Sequence, residues 1–125
     1  NRAFADAVGA RRKLQKQVEE LFEAVEDSDL GKVWNFVYEH CAGYADPFGL
    51  PPLAVDLEDH EQNTPLSVAA CFGELEIAEF LIQSGAHPNA RNGLGRTPLW
   101  RATYNGHENM VKFLLDCGAD PTIES

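Results

Sequence analysis

At 125 residues the chain is long enough for one modest domain that buries roughly two-thirds of its unfolded surface. An apolar content of 44% is ordinary for a globular protein and speaks against disorder along the whole length. The net charge of −10 weighs against nucleic-acid binding, which needs positive charge to displace counterions.

Charge is unevenly spread. Residues 1–17 carry Arg2, Arg11, Arg12, Lys13 and Lys16 against Asp6 alone, whereas residues 18–58 carry Lys32 as their one basic residue among many acids. The basic stretch reads first as a solvated helix face. Phe4, Val8, Leu14, Val18, Leu21, Phe22 and Val25 recur at helical spacing, which predicts one long helix over 3–26, or two helices broken near Gly9. Within it "ARRKLQKQVEELF", residues 10–22, is a partly basic amphipathic segment of the kind that calmodulin-like calcium sensors grasp. Opening on Asn1 rather than Met, the chain reads as a piece of something longer. No apolar run approaches the ~20 residues that cross a bilayer.

The second half of the chain is written twice over. Residues 62–88, "QNTPLSVAACFGELEIAEFLIQSGAHP", are answered 33 positions later by residues 95–121, "GRTPLWRATYNGHENMVKFLLDCGADP". The shared residues fall where the backbone is demanding. Thr64 and Thr97 suit the N-cap, where a hydroxyl takes an orphan amide of the first turn. Pro65 and Pro98 suit the first helical position, where no amide donor is required. Ala69 and Ala102 let neighbouring helices approach. Gly73 and Gly106 are expected to break a first helix after about two turns, and Gly85 and Gly118 to stop a second one in the left-handed conformation open to glycine. Asn92-Gly93 in "NARNGLGRT" marks a tight turn. Neither helix reaches the ~12–15 residues that an isolated helix needs in water. Such units persist by stacking on copies of themselves, and the period indicates a solenoid.

These residues, "TPLSVAA" and "TPLWRAT" followed by "GAHPNA" and "GADP", resemble the ankyrin repeat family over residues 59–125. The departures are Ser67 and Trp100, where the family usually has His, which puts in doubt the His hydrogen bond to the neighbouring finger. Setting Ala24 on Ala69 places Leu21 on Leu66, Val33 on Ala78, Phe36-Val37 on Leu81-Ile82 and Ser28 on the glycine. The offset of 45 leaves about twelve extra residues in a Pro-rich finger over 41–58. That finger is either a specificity element or a tolerated insertion. The resulting expectation is an all-α ankyrin-repeat solenoid of stacked helix-turn-helix units with β-hairpin-like fingers, preceded by a long N-terminal helix. It divides into an extension over 1–17, a degenerate repeat over 18–58, and repeats over 59–91 and 92–125. "TIES" begins another finger, so the array is expected to continue, leaving Met110, Phe113 and Leu114 partly uncovered here.

The resemblance implies a non-enzymatic protein-interaction scaffold that meets its partner through the concave face. The varied positions of each first helix would face that partner: Val68, Cys71 and Phe72, then Arg101, Tyr104 and Asn105, with Glu23, Glu26 and Asp27 in the degenerate repeat. Finger tips would add His60, Glu61, Asn63, Leu94 and Arg96. Phe72, Trp100, Arg101 and Tyr104 make the sharpest patch, because aromatic and Arg side chains dominate interface hot spots. Against this, Phe72 and Trp100 at those positions would equally serve as packing between repeats. The wording "DLEDHEQNTPLS" and "NARNGLGRTPLWRAT" is also similar to proteins joining an IQ motif to ankyrin repeats, some associated with the cilium or flagellum axoneme, although no IQ motif is spelled here.

Other chemistry is not indicated. No His or Cys spacing matches a metal site, no glycine-rich phosphate loop opens a helix, and the paired acids look like solvent faces. Cys71 with His107 is the one arrangement resembling a nucleophile and base, and both sit at repeat positions with a simpler explanation. No cofactor, catalytic residue or membrane contact is expected. Cys41, Cys71 and Cys117, an odd count without a C-x-x-C pair, read as free thiols in a reducing intracellular setting, the cytoplasm.

Overall fold

A computed structural model describes residues 15–16, 18–38, 57–59 and 61–121. Helix α1 covers 18–26, and α2 is Leu30–Phe36. After the next finger come α3, Pro65–Phe72, and α4, Leu75–Gln83. Then follow α5, Pro98–Tyr104, and α6, Glu108–Asp116. The predicted helix over 3–26 lies largely outside the described residues, and so does most of the 41–58 finger.

Each short helix starts where the residue chemistry provides for it. Thr64 and Thr97, both in extended conformation, accept from the amides of Ser67 and Trp100 at 3.2 Å, and each is followed by proline at the first helical positions. Asp29 caps α2 by accepting from the Lys32 amide at 3.2 Å. Each helix pair then turns through a left-handed residue. Gly73 and Gly106 have φ of 71° and 76°, and Ser28 takes the same role at 57°. The bond after the turn is nearly the same each time: Asp29 to the Ala24 carbonyl at 2.8 Å, and Glu74 to Ala69 and His107 to Ala102 at 2.9 Å.

Helices α3 and α5 lie side by side, as do α2, α4 and α6 in a second row, and α3 packs on α4 as α5 packs on α6. The core runs continuously between them, from Leu21 and Val25 through Val33, Leu66 and Leu81 to Met110 and Leu114. Burying these side chains at about 25 cal/mol per Å² is what holds helices too short to stand alone.

Two expectations need correction. Among the described residues the fingers contain no β-strand. Each tip is closed instead by one side chain. Asp59 Oδ1 accepts from the amides of Glu61 and Asn63, both at 2.9 Å, and Asn92 Oδ1 from those of Leu94 and Arg96, both at 3.0 Å. Two backbone bonds also span each tip, Asp59 N–H to the Asn63 carbonyl with Gln62 N–H to the Asp59 carbonyl, and Asn92 N–H to the Arg96 carbonyl with Gly95 N–H to the Asn92 carbonyl. They form closed turns and do not extend as a ladder. Secondly, Met110 and Leu114 are fully buried, not partly uncovered. Four residues apart, they share the face of α6 that meets α5 and α4. Phe113 is half-buried, and Leu115, on the other side, is an exposed residue of this helix.

Candidate functional site

The side chains expected to meet a partner fall into three groups. Open to solvent are Phe72 and Tyr104, 52% and 75% exposed, together with Asn105 and, at the finger tips, Leu94 and Glu61. Half-buried are Cys71, Trp100, Arg101 and Arg96. Val68 is buried, because its position on α3 points into the core beside Ala69 and Ala70. It offers no surface and is not part of the site. Asn63 likewise is not a finger-tip residue exposed to a partner but is 5% exposed.

Asn63 is instead a hub. Its Oδ1 accepts from Asn92 Nδ2 at 3.0 Å and from Arg101 Nη1 at 3.1 Å, while its Nδ2 donates to Asp59 Oδ2 at 3.2 Å. Arg101 Nη1 also donates to Ser67 Oγ at 3.2 Å. This guanidinium therefore ties α5 back to α3 and to the preceding finger. A buried amide left without these partners would be costly, so the arrangement is structural. The fingers are joined again where the Gly93 amide donates to the Glu61 carbonyl at 2.9 Å. A Cβ on Gly93 would lie 3.1 Å from that oxygen, so space, not φ, calls for glycine there. Farther along, Asn89 Nδ2 donates to the Gly118 carbonyl at 3.3 Å and its Oδ1 accepts from the Asp120 amide at 2.8 Å.

Trp100 is held between two neighbours. The Arg96 guanidinium carbon lies 4.1 Å from its ring centroid, and the Tyr104 ring stacks on it at 5.0 Å and 8°. The outer ring of this stack is the one most open to solvent. A second stack, not expected from the sequence, pairs Trp34 with Tyr38 at 5.2 Å and 7°, both exposed. Their four-residue spacing on one helix face is the signal that carries it.

The Cys71–His107 pair does not form a catalytic couple. His107 Nε2 lies 2.9 Å from the Cys71 carbonyl oxygen, not its thiol, and the imidazole ring packs onto Gly73. Asn105 Nδ2, donating to the Arg101 carbonyl at 2.8 Å, also lies 3.6 Å from Cys71 Sγ. At Cys117, burial first and the charges of Asp116 and Glu79 after it push the thiol up, which disfavours the thiolate. Among the described residues no three His, Cys, Asp or Glu side chains gather to hold a metal ion. No helix there is long and apolar enough to cross a membrane. A cavity of about 360 Å³ opens beside Gly73, Leu75 and the start of α6.

At the end of α1 the exposed side chains are acidic. Glu23, Glu26 and Asp27 face solvent, and Glu74 Oε1 accepts from Ser28 Oγ at 2.7 Å across the junction with the next helix pair. Burial raises the Glu74 carboxyl above its ordinary value, the Ser28 bond partly offsets this, and the charges of Asp27 and Glu26 push it up further.

Short paired helices, recurring left-handed turns and side-chain-locked fingers define a helical repeat protein whose shared geometry is structural and whose open side chains sit at non-matching positions. A family model described as "Ankyrin repeats (3 copies)" matches residues 21–125, and the chain belongs to the ankyrin repeat family. Among its relatives is the 26S proteasome non-ATPase regulatory subunit 10 of Dictyostelium discoideum, 43% identical over 66 residues, which are 52% of this chain and 28% of that protein. Ankyrin repeat and SAM domain-containing protein 6 of Rattus norvegicus is 37% identical over 75 residues, 59% of this chain and 8% of its own. The rat Arf-GAP with coiled-coil, ANK repeat and PH domain-containing protein 2 is 47% identical over 53 residues, 42% of this chain and 7% of its own. The chain thus spans less than a third of each of these proteins. Ankyrin repeats are in general protein-interaction modules. The match carries the ankyrin resemblance and does not extend to an IQ motif.

Proposed function

We propose that this chain is a non-enzymatic scaffold segment that binds a protein partner through the ends of α1, α3 and α5 and through the finger tips. We divide it into an extension over 1–17, a degenerate repeat over 18–58 and repeats over 59–91 and 92–125. The supporting observation is that Phe72 and Tyr104 stand open at positions where the repeats differ, while the Thr, Pro, Leu and Ala that the two repeats share at Thr64–Leu66 and Ala69, and at Thr97–Leu99 and Ala102, are buried. Exposed aromatics on a rigid, stacked frame are the usual material of interface hot spots, each worth about 2 kcal/mol or more. Trp100 stacks on Tyr104, Asn105 and Cys71 lie beside each other at the same ends of α5 and α3, and Leu94 and Glu61 offer further exposed side chains at the finger tips. A reducing cytoplasmic setting fits the cysteine usage.

The test is co-purification or proximity labelling with the full-length protein, wild type against Phe72→Ala plus Tyr104→Ala. Partners should be lost while the melting temperature holds. Undiminished capture by the double variant would refute the reading. A second reading, a calmodulin-like sensor on residues 10–22, rests on the basic amphipathic pattern there. Titrating residues 1–26 as a peptide with calmodulin, with and without calcium, decides it; absence of binding removes it.

A further inference from the structure

The open edge formed by the ends of α1 and α3 is electrically one-sided. Glu26, the last residue of α1, and Asp27 after it stand exposed beside Glu23, and Glu74 is drawn toward them by its bond to Ser28. A helix C-terminus already carries partial negative charge and is stabilised by cations, so acids there oppose the helix that bears them. Nothing nearby among the described residues relieves this. The ion pair found among them is Lys32 with Asp29, at 3.9 Å and at the start of α2. Arg101 and Arg96 are engaged elsewhere, Arg101 with Asn63 and Ser67, and Arg96 over Trp100. Burial first raises the Glu74 carboxyl above its ordinary value, the Ser28 bond offsets part of this, and the nearby charges of Asp27 and Glu26 add to the rise.

Beside these acids lies Phe72. Counting from the matched alanines Ala24, Ala69 and Ala102, the position held by Asp27 is held by Phe72 on α3 and by Asn105 after α5. The position of Glu26 is held by Cys71 and then by Tyr104. The Asn105–Cys71 and Ser28–Glu74 contacts show that these positions adjoin from one unit to the next. Negative charge therefore passes directly into an open aromatic surface.

From this juxtaposition, and resting on the interaction reading above, we infer that the edge receives a segment of another protein carrying two or more Lys or Arg side chains next to an apolar one. The cations lie against Glu26 and Asp27, and the apolar side chain lies on Phe72, with Tyr104 and Asn105 closing the far end. Unpaired acids are a cost to the free chain that a basic partner removes on binding, and charge complementarity of this kind sets both specificity and association rate. An anionic ligand such as nucleic acid is repelled by the same charges.

The experiment pans a random-peptide library on the chain. The synthetic consensus peptide is then titrated against wild type, Glu26→Gln plus Asp27→Asn, and Phe72→Ala, with amide shifts followed by NMR. The expected consensus pairs basic with apolar residues and moves the amides of residues 26–28 and 71–74. Neutralising the two acids should weaken binding about tenfold and flatten its salt dependence, without lowering the melting temperature of the free chain. A consensus without basic residues, or binding that ignores the acid variant yet falls with Phe72→Ala, overturns this inference and leaves the interaction reading intact. Binding that ignores all three substitutions overturns both. Shifts at residues 26–28 on concentrating the chain alone, with a doubled mass, would make a second copy the occupant and equally overturn it.

Discussion

Arg101 and Tyr104 lie three residues apart on α5 and read in the sequence as one exposed patch, yet their physical roles differ. Arg101→Ala removes the donor shared by Asn63 Oδ1 and Ser67 Oγ, both on buried residues, and should cost about 1–3 kcal/mol. Tyr104→Ala gives up one open ring stacked on Trp100 and should cost about 0.5–1.5 kcal/mol at most. Chemical denaturation of the two variants separates them, and equal costs would contradict the hub at Asn63. Gln62 offers the opposite case. It holds φ of 63° at the position where the next finger has Gly95 at 76°. A side chain there is strained, so Gln62→Gly should stabilise the chain by about 1 kcal/mol. An unchanged or lower denaturation midpoint would count against that strain.

At the scale of the element, the turns between paired helices look interchangeable and are not. Gly73 and Gly106 share a left-handed φ, but a Cβ on Gly73 would come 2.6 Å from His107 Nδ1, whereas one on Gly106 meets nothing within 4 Å. Gly106→Ala should cost about 1–2 kcal/mol for the backbone alone; Gly73→Ala should cost clearly more, because His107 must also give up its contact with the Cys71 carbonyl. Paired thermal melts check the order. The third turn has Ser28, whose hydroxyl holds Glu74. Because burial and the acids Asp27 and Glu26 raise that carboxyl in the folded state, its stabilising contribution is full below its ordinary range. That contribution is lost as pH rises through the raised folded value. Glu74→Gln keeps an oxygen for Ser28 and should raise the melting temperature at neutral pH while narrowing the gain wild type shows on mild acidification. Caps, prolines and left-handed turns are legible in the sequence because each rests on a local backbone requirement carried by one or two residues. The Asn63 hub is not, since it joins Asp59, Asn92 and Arg101 from three separate elements. Its local half is nonetheless in view: Asp59 and Asn92 stand 33 residues apart, each able to close a turn with its own side chain. Val68 departs from its expected place because the varied position on α3 is apolar and collapses inward, where the polar residue at the same position on α5 does not.

Taken whole, the molecule is a short one-dimensional array. Helix α2 packs on α4 and α4 on α6, while α3 packs on α5, so each unit is supported by its neighbour. Continuity of the core from Leu21 to Leu114 then poses a question of range: does damage at one end reach the other? Met110 is fully buried at one end and Val33 at the other, with Leu81 between them. Met110→Ala should cost about 2–5 kcal/mol through lost burial and a residual cavity. If stability is the sum of unit and neighbour terms, amides of α5 and α6 should exchange with solvent much faster in that variant, and those of α1 and α2 far less so. Val33→Ala should produce the mirror image, and Leu81→Ala should loosen both ends. Native-state hydrogen exchange by NMR reads all three. Uniform acceleration across every helix in Met110→Ala would show instead that so few units fold as one cooperative body. In that case a partner gripping Phe72 and Tyr104 would stabilise α1 and α2 as strongly as the helices it touches.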